Sequence, residues 1–299
     1  MIEKIRDMFF PPKLVVTDAA KLWAEARLAW LGQQFGWDPV KRPPIEPTVR
    51  YFPQGWEGTF EEVEELFPNL CGYMHVDSAR LELKFFDSEE NPLLDHVPVF
   101  ERERRGPAGL FINPEKKGKL ILALDVRIIS SPPQVAATLA HELAHVHLLA
   151  DKRLRPEEHD HEEVTDLLTV FFGMGIISAN AAFQFSQWQY GQRAGWSASR
   201  SGYLSEQEYG WALANYAWLR DELHPRWAEH LAYNIGTYFR ESIRYLEKTG
   251  ATSLSRGIAH GEPANTPTHD AAKPLGGLNT VTSASASSQA DVSSEQSRR

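Results

Sequence analysis

Residues 137–149 read ATLAHELAHVHLL, which sets three histidines and one glutamate in an otherwise apolar stretch. An α-helix repeats every 3.6 residues, so side chains four positions apart lie above one another on one face. His141 and His145 have that spacing, and their imidazoles can converge on one metal ion. Glu142 follows the first of them and can lean over the water such an ion would activate, as a general base. His147, two residues past His145, leaves that face and is expected to pack or hydrogen-bond instead. A catalytic zinc site needs a third protein ligand and one open position.

The continuation used by metzincin peptidases, a glycine three residues past the second histidine and a histidine three beyond it, is not met. Leu148 and Asp151 stand there. Further on, HEEVTDLL at 161–168 puts Glu162 and Asp166 one helical turn apart. Glu162 can then reach the ion while Asp166 accepts a hydrogen bond from the outer nitrogen of a ligand histidine and fixes its tautomer. His159, Asp160, His161 and Glu163 lie close enough in sequence to remain alternatives for the third ligand.

These residues need elements to position them. SSPPQ at 130–134 supplies a serine cap and a proline at the first helical position, so a helix from about 133 carries the histidines. The strand-like KLILALDVRII leads into it, and with ARLELKFF it predicts a small, mostly antiparallel sheet within 71–129. Earlier, 17–36 begins on a Thr-Asp cap and predicts a helix with Leu22, Ala26 and Trp30 at helical spacing. The prolines of DPVKRPPIEPT then predict an extended connector, and Thr59 with Glu62 a capping box opening a short helix. Downstream, one helix is expected over about 160–185, one over 205–222 from a Ser205–Glu208 capping box, and one over 225–249 between Pro225 and Gly250.

The fold class expected is therefore α+β, with a small sheet packed on a helical half that holds a two-helix metal site. Residues 1–130 would form its N-terminal helix and β-rich part, and 131–250 its helical metal-binding part. Residues 251–299, rich in Ser, Ala, Thr and Gly, would form a disordered tail. The uncharged run at 167–183 falls short of a membrane span and reads as a buried helix.

HELAH with EEVTD resembles the gluzincin metallopeptidases, in which the two-histidine helix is followed by a helix bearing Glu, three residues, then Asp. Together with GYLSEQEYGWALANYAWLR, residues 120–250 also look like an uncharacterised bacterial group of gluzincin type. The resemblance implies a zincin-like fold, zinc on His141, His145 and Glu162, Glu142 as general base, and Asp166 as the partner of His141. His147 departs from it, since such helices usually carry an apolar residue there.

Zinc-dependent peptide hydrolysis is the expectation, with a peptide or protein as partner. Candidates for the oxyanion donor are Tyr203 and Tyr209, beside His224 and His230. A peptide could add as a strand to KLILALDVRII. Two rivals stand beside this. Glu142–His145 and Glu158–His161 both fit the Glu-x-x-His string of di-iron bundles. A non-catalytic zinc module would instead close the site with a fourth ligand such as His159 or His161. A net charge of −9 without a basic run argues against nucleic acid or anionic lipid as partners. Cys71, the single cysteine, allows no internal disulfide and no multi-thiolate zinc site. It is expected in the core, and the opening segment lacks the apolar stretch of a signal peptide, so a cytoplasmic location is expected.

Overall fold

A computed structural model describes residues 11–87, 108–113, 118–190 and 203–258, all within the unit Met1–Ala264. The architecture is α+β. Helix α1 spans Asp18–Phe35 and starts at Thr17, whose hydroxyl accepts from the Ala20 amide at 3.1 Å. The face it buries is Ala24, Leu28 and Leu31; Leu22 and Ala26 are exposed and Trp30 only half-buried. Apolar residues surround this helix, so their periodicity does not select a face. The proline connector is not wholly extended: Asp38–Lys41 forms a single turn, α2, with Pro39 near its start, where a missing amide costs no hydrogen bond.

Helix α3, Phe60–Tyr73, has the expected capping box, and its last turn includes Cys71. The sheet follows as β1 (Leu81–Phe86), β2 (Gly109–Ile112) and β3 (Leu120–Asp125). Their order is β1-β3-β2. β1 runs parallel to β3, with Leu81 opposite Leu120, and β2 runs antiparallel, with Gly109 opposite Leu124. The sheet is thus mixed rather than mostly antiparallel, and β3 is its centre. KLILALDVRII therefore cannot offer a free edge to a peptide; β2 is the terminal strand on the other side of the order among the described residues.

Helix α4, Pro132–His145, opens on two prolines, but Ser131 makes no side-chain capping bond. A π-helical turn, Val146–Ala150, continues it. The helix is buried almost all round by Val135, Leu139, Leu143 and a set of alanines, whose small side chains let β2, β3 and neighbouring helices approach. The single helix expected over 160–185 is two. Helix α5, His161–Phe171, ends before Gly173, whose φ of +85° suits glycine, and α6, Gly175–Tyr190, restarts after it. Helix α7, Glu206–Leu219, keeps its capping box. Residues Arg226–His230 form a 3₁₀ turn, so the last helix, α8, begins later than expected and spans Tyr233–Thr249. It stops at Gly250 in the left-handed region.

Residues 251–258, placed with the tail on composition, are packed. Glu25, 1% exposed, accepts from the Ser253 amide at 3.0 Å and hydroxyl at 2.9 Å, and Leu254 is buried. Residues 259–299 of the expected tail lie outside the described residues. No helix among the described residues is long and apolar enough to cross a membrane. Cys71 is buried in the core, and burial pushes its thiol up to about 12.

Candidate metal centre

Helices α4 and α5 bring His141, His145 and Glu162 together, with one potential ligand atom from each lying within 4.8 Å of the others. Glu162 Oε2 is 3.0 Å from His141 Nε2 and 3.5 Å from His145 Nε2. The imidazole centroids stand 4.8 Å apart with their planes at 85°. Both rings thus direct the same nitrogen, Nε2, at one carboxylate oxygen.

The outer nitrogens explain that orientation. His141 Nδ1 lies 2.9 Å from Asp166 Oδ1, one helical turn beyond Glu162, as the spacing predicts. Asp166 is itself held from the start of α7: its Oδ2 accepts from the amide of Leu204, two residues before that helix, at 3.1 Å, and the carboxylate also engages the hydroxyl of Tyr209 within it. His145 Nδ1 lies 3.4 Å from the hydroxyl of Thr165, which donates to the His161 carbonyl at 2.7 Å. With that hydroxyl proton committed, Thr165 is an acceptor for His145 Nδ1–H, which leaves Nε2 as the lone pair. Sequence reasoning missed Thr165, although the position just before Asp166 was its only signal.

The electrostatics fit a cation. Burial opposes charge on His141, but the Asp166 and Glu162 carboxylates outweigh it and raise its pKa well above the ordinary value. Burial would raise Glu162 too, yet the two imidazoles hold it far below the usual carboxylate range. Two imidazole nitrogens, that of His141 once its proton is displaced, and an ionised oxygen aimed at one point form a donor set that fits zinc.

Glu142 is buried beside them, at 6% exposure. Burial raises its pKa, with His145 and His141 pulling it back and Glu162 raising it further. Strand β2 supplies the wall: a Cβ on Gly109 would stand 2.5 Å from Thr138 Cγ2 and 2.8 Å from Glu142 Oε1, so only glycine leaves room. Two residues on, Phe111 stacks on His145 with centroids 6.2 Å apart.

The remaining candidates divide. Tyr203 is half exposed, with its ring 5.4 Å from that of His141. Tyr209 is fully buried and braces Asp166, so it does not face an incoming substrate. His230 faces Glu46 at 3.8 Å, and His224 is exposed in the turn after α7. His147 turns away, as expected. Its Nε2 lies 2.6 Å from the Met74 carbonyl and its ring stacks on Phe172.

Of the alternatives for third ligand, His159 is exposed, while Asp160 is bound by Trp23 Nε1 at 2.7 Å and by both Arg27 Nε and Nη2 at 2.8 Å. That bidentate contact ties the start of α5 to α1. Comparison of the chain with protein-family models, with curated proteins and with solved structures finds no match.

Proposed function

We propose that this protein is a zinc-dependent peptidase with a gluzincin-like, zincin-type arrangement of its catalytic half. The observation that carries the reading is the convergence of His141, His145 and Glu162 on one point, with Glu142 buried alongside. Zinc, when bound by these three residues, would supply Lewis acidity toward a water and a peptide carbonyl. Glu142 takes the proton of the attacking water and passes it to the leaving amine. Asp166 and Thr165 keep the two imidazoles in the tautomer that presents Nε2. Tyr203, beside His141 and partly exposed, is the donor for the carbonyl oxygen as negative charge develops there.

A peptide substrate pairs with β2, whose Gly109 lies against Glu142 and whose Phe111 covers His145. A cytoplasmic setting belongs to the same reading and agrees with a lone, buried cysteine. The reading of a closed, non-catalytic zinc module is less well supported, because His159 is exposed and the ligand cluster among the described residues has three members. The di-iron reading lacks its second half: Glu158 lies near Arg27 and Arg155 rather than joining a metal cluster.

The test is metal removal and return. Chelator treatment should abolish cleavage of a diverse peptide mixture followed by mass spectrometry, and one equivalent of zinc should restore it. Cleavage that survives removal of all metal, or a protein that takes up no zinc, overturns the proposal. A finer check uses Gly109→Ala, whose Cβ would push Glu142 aside. We expect zinc content to be unchanged and turnover to fall by about 10- to 100-fold, the scale of a small misplacement of a reacting group.

A further inference from the structure

We propose that Asp166 positions two parts of the site at once: its Oδ1 sets the ring of His141, and its Oδ2, by holding the Leu204 amide, places Tyr203 beside that ring. This rests on the zinc-site proposal, with Tyr203 as the donor in it, and adds what places that donor. The carboxylate is 4% exposed and lies 2.9 Å from His141 Nδ1 and 3.1 Å from the Leu204 nitrogen. The held N–H belongs to the planar peptide unit that joins Tyr203 to Leu204. Fixing that unit fixes the Cα from which the Tyr203 ring reaches to 5.4 Å from that of His141. Tyr203 is itself half exposed, so its backbone sets its place more than burial does.

The stretch YLSEQEY, 203–209, is organised around this bond. Glu208 Oε2 accepts from the Ser205 amide at 2.8 Å, and Ser205 Oγ accepts from the Glu208 amide at 3.3 Å, which closes the capping box. Leu204 and Tyr209 occupy the two positions of a hydrophobic staple, one before the cap and one in the first turns, and both are buried. These features fix the angle at which the chain enters α7, and the Tyr209 hydroxyl donates to Asp166 as well. Three donors therefore meet one carboxylate, whose two oxygens only accept. An asparagine has a single acceptor oxygen. With Nε2 of His141 given to an ion, the Nδ1 proton must take that oxygen, and the asparagine NH₂ would face the Leu204 N–H, donor against donor.

Wild type, Asp166→Asn, Leu204→Pro and Leu204→Ala would be compared at saturating zinc by chelator competition, by hydrogen exchange of the Leu204 amide and by steady-state kinetics on a cleaved peptide. Asp166→Asn should weaken zinc by about 10- to 100-fold. Once saturated, its Leu204 amide should exchange at least about tenfold faster than in wild type. Its kcat should then be down about 10- to 100-fold with KM little changed. Leu204→Pro removes the N–H and leaves the Asp166 to His141 contact in place, so kcat should fall on the same scale while zinc affinity holds. Leu204→Ala keeps the N–H and should keep most of kcat. Tyr203→Phe should cost wild type roughly 10²- to 10³-fold in kcat, and less in Asp166→Asn, where the donor is already misplaced. A Leu204 amide as protected in Asp166→Asn as in wild type overturns the proposal. So does a Tyr203→Phe loss of equal size in both backgrounds, or equal kcat in Leu204→Pro and Leu204→Ala. Wild type that binds no zinc overturns the zinc site itself, a result distinct from these.

Discussion

Glu142→Gln should keep one zinc per chain while peptide hydrolysis falls by roughly 10²- to 10⁴-fold, the range for loss of a general base. The amide preserves the volume packed against Gly109 and Thr138, so the helix and its two imidazoles have no reason to move. What it lacks is a lone pair basic enough to take a proton from water. The wild-type carboxylate has one, and burial makes it more basic by raising its pKa, moderated by His145 and His141. Elemental analysis and initial rates on one sample check both halves of the expectation. Undiminished turnover would remove Glu142 as the base, and loss of zinc would mean that it is a ligand.

Glu162→Ala should lose zinc outright at concentrations where wild type is saturated, with affinity down by more than the roughly 10- to 100-fold typical of residues that only orient a ligand. Chelator competition measures this directly. The same experiment carries a pH dependence whose sign follows from His141. Its folded pKa is raised, so in the metal-free protein Nε2 carries a proton up to a pH well above that of an ordinary imidazole. Zinc must displace that proton. Uptake should therefore release about one proton from this group, and affinity should weaken by up to about tenfold for each unit the pH falls below the raised value. Stability without metal runs the other way. The contribution of His141 is fully present below the unfolded imidazole pKa and is lost as pH rises through the raised one, while that of Glu162, whose pKa is depressed, is fully present above the unfolded carboxylate pKa and is lost as pH falls from there through the depressed one. Affinity independent of pH would mean that His141 does not give up a proton to the ion.

What could be read from the sequence was local. Thr59 with Glu62 and Ser205 with Glu208 each close a capping box within four residues, and both are present. His141, His145, Glu162 and Asp166 lie at spacings that a helix converts directly into a shared face, and the structure brings them together. What could not be read depends on distant partners. Pairing order made β3 central rather than an edge, because alternation within a strand says nothing about which strands flank it. Gly109 looks like any loop glycine until β2 lies against Glu142. Tyr209 and Tyr203 are six residues apart and equivalent as residue types, yet one is locked on Asp166 and the other faces His141. The break at Gly173 was hidden by an apolar run that continues through it.

The anchoring of Asp160 on α1 bears on how the protein reaches its native state. Trp23 and Arg27 contact it across 137 and 133 residues of chain, so these bonds close long loops. Contacts of such separation demand the greatest entropy before they give anything back, and they form slowly. Helix α4 can align His141 and His145 as soon as it winds, but the third donor is secured only when the N-terminal helix has docked. On the proposed zinc site, capture of the ion would be a late event, and the rate at which a refolding chain acquires tight metal binding would time the arrival of α1.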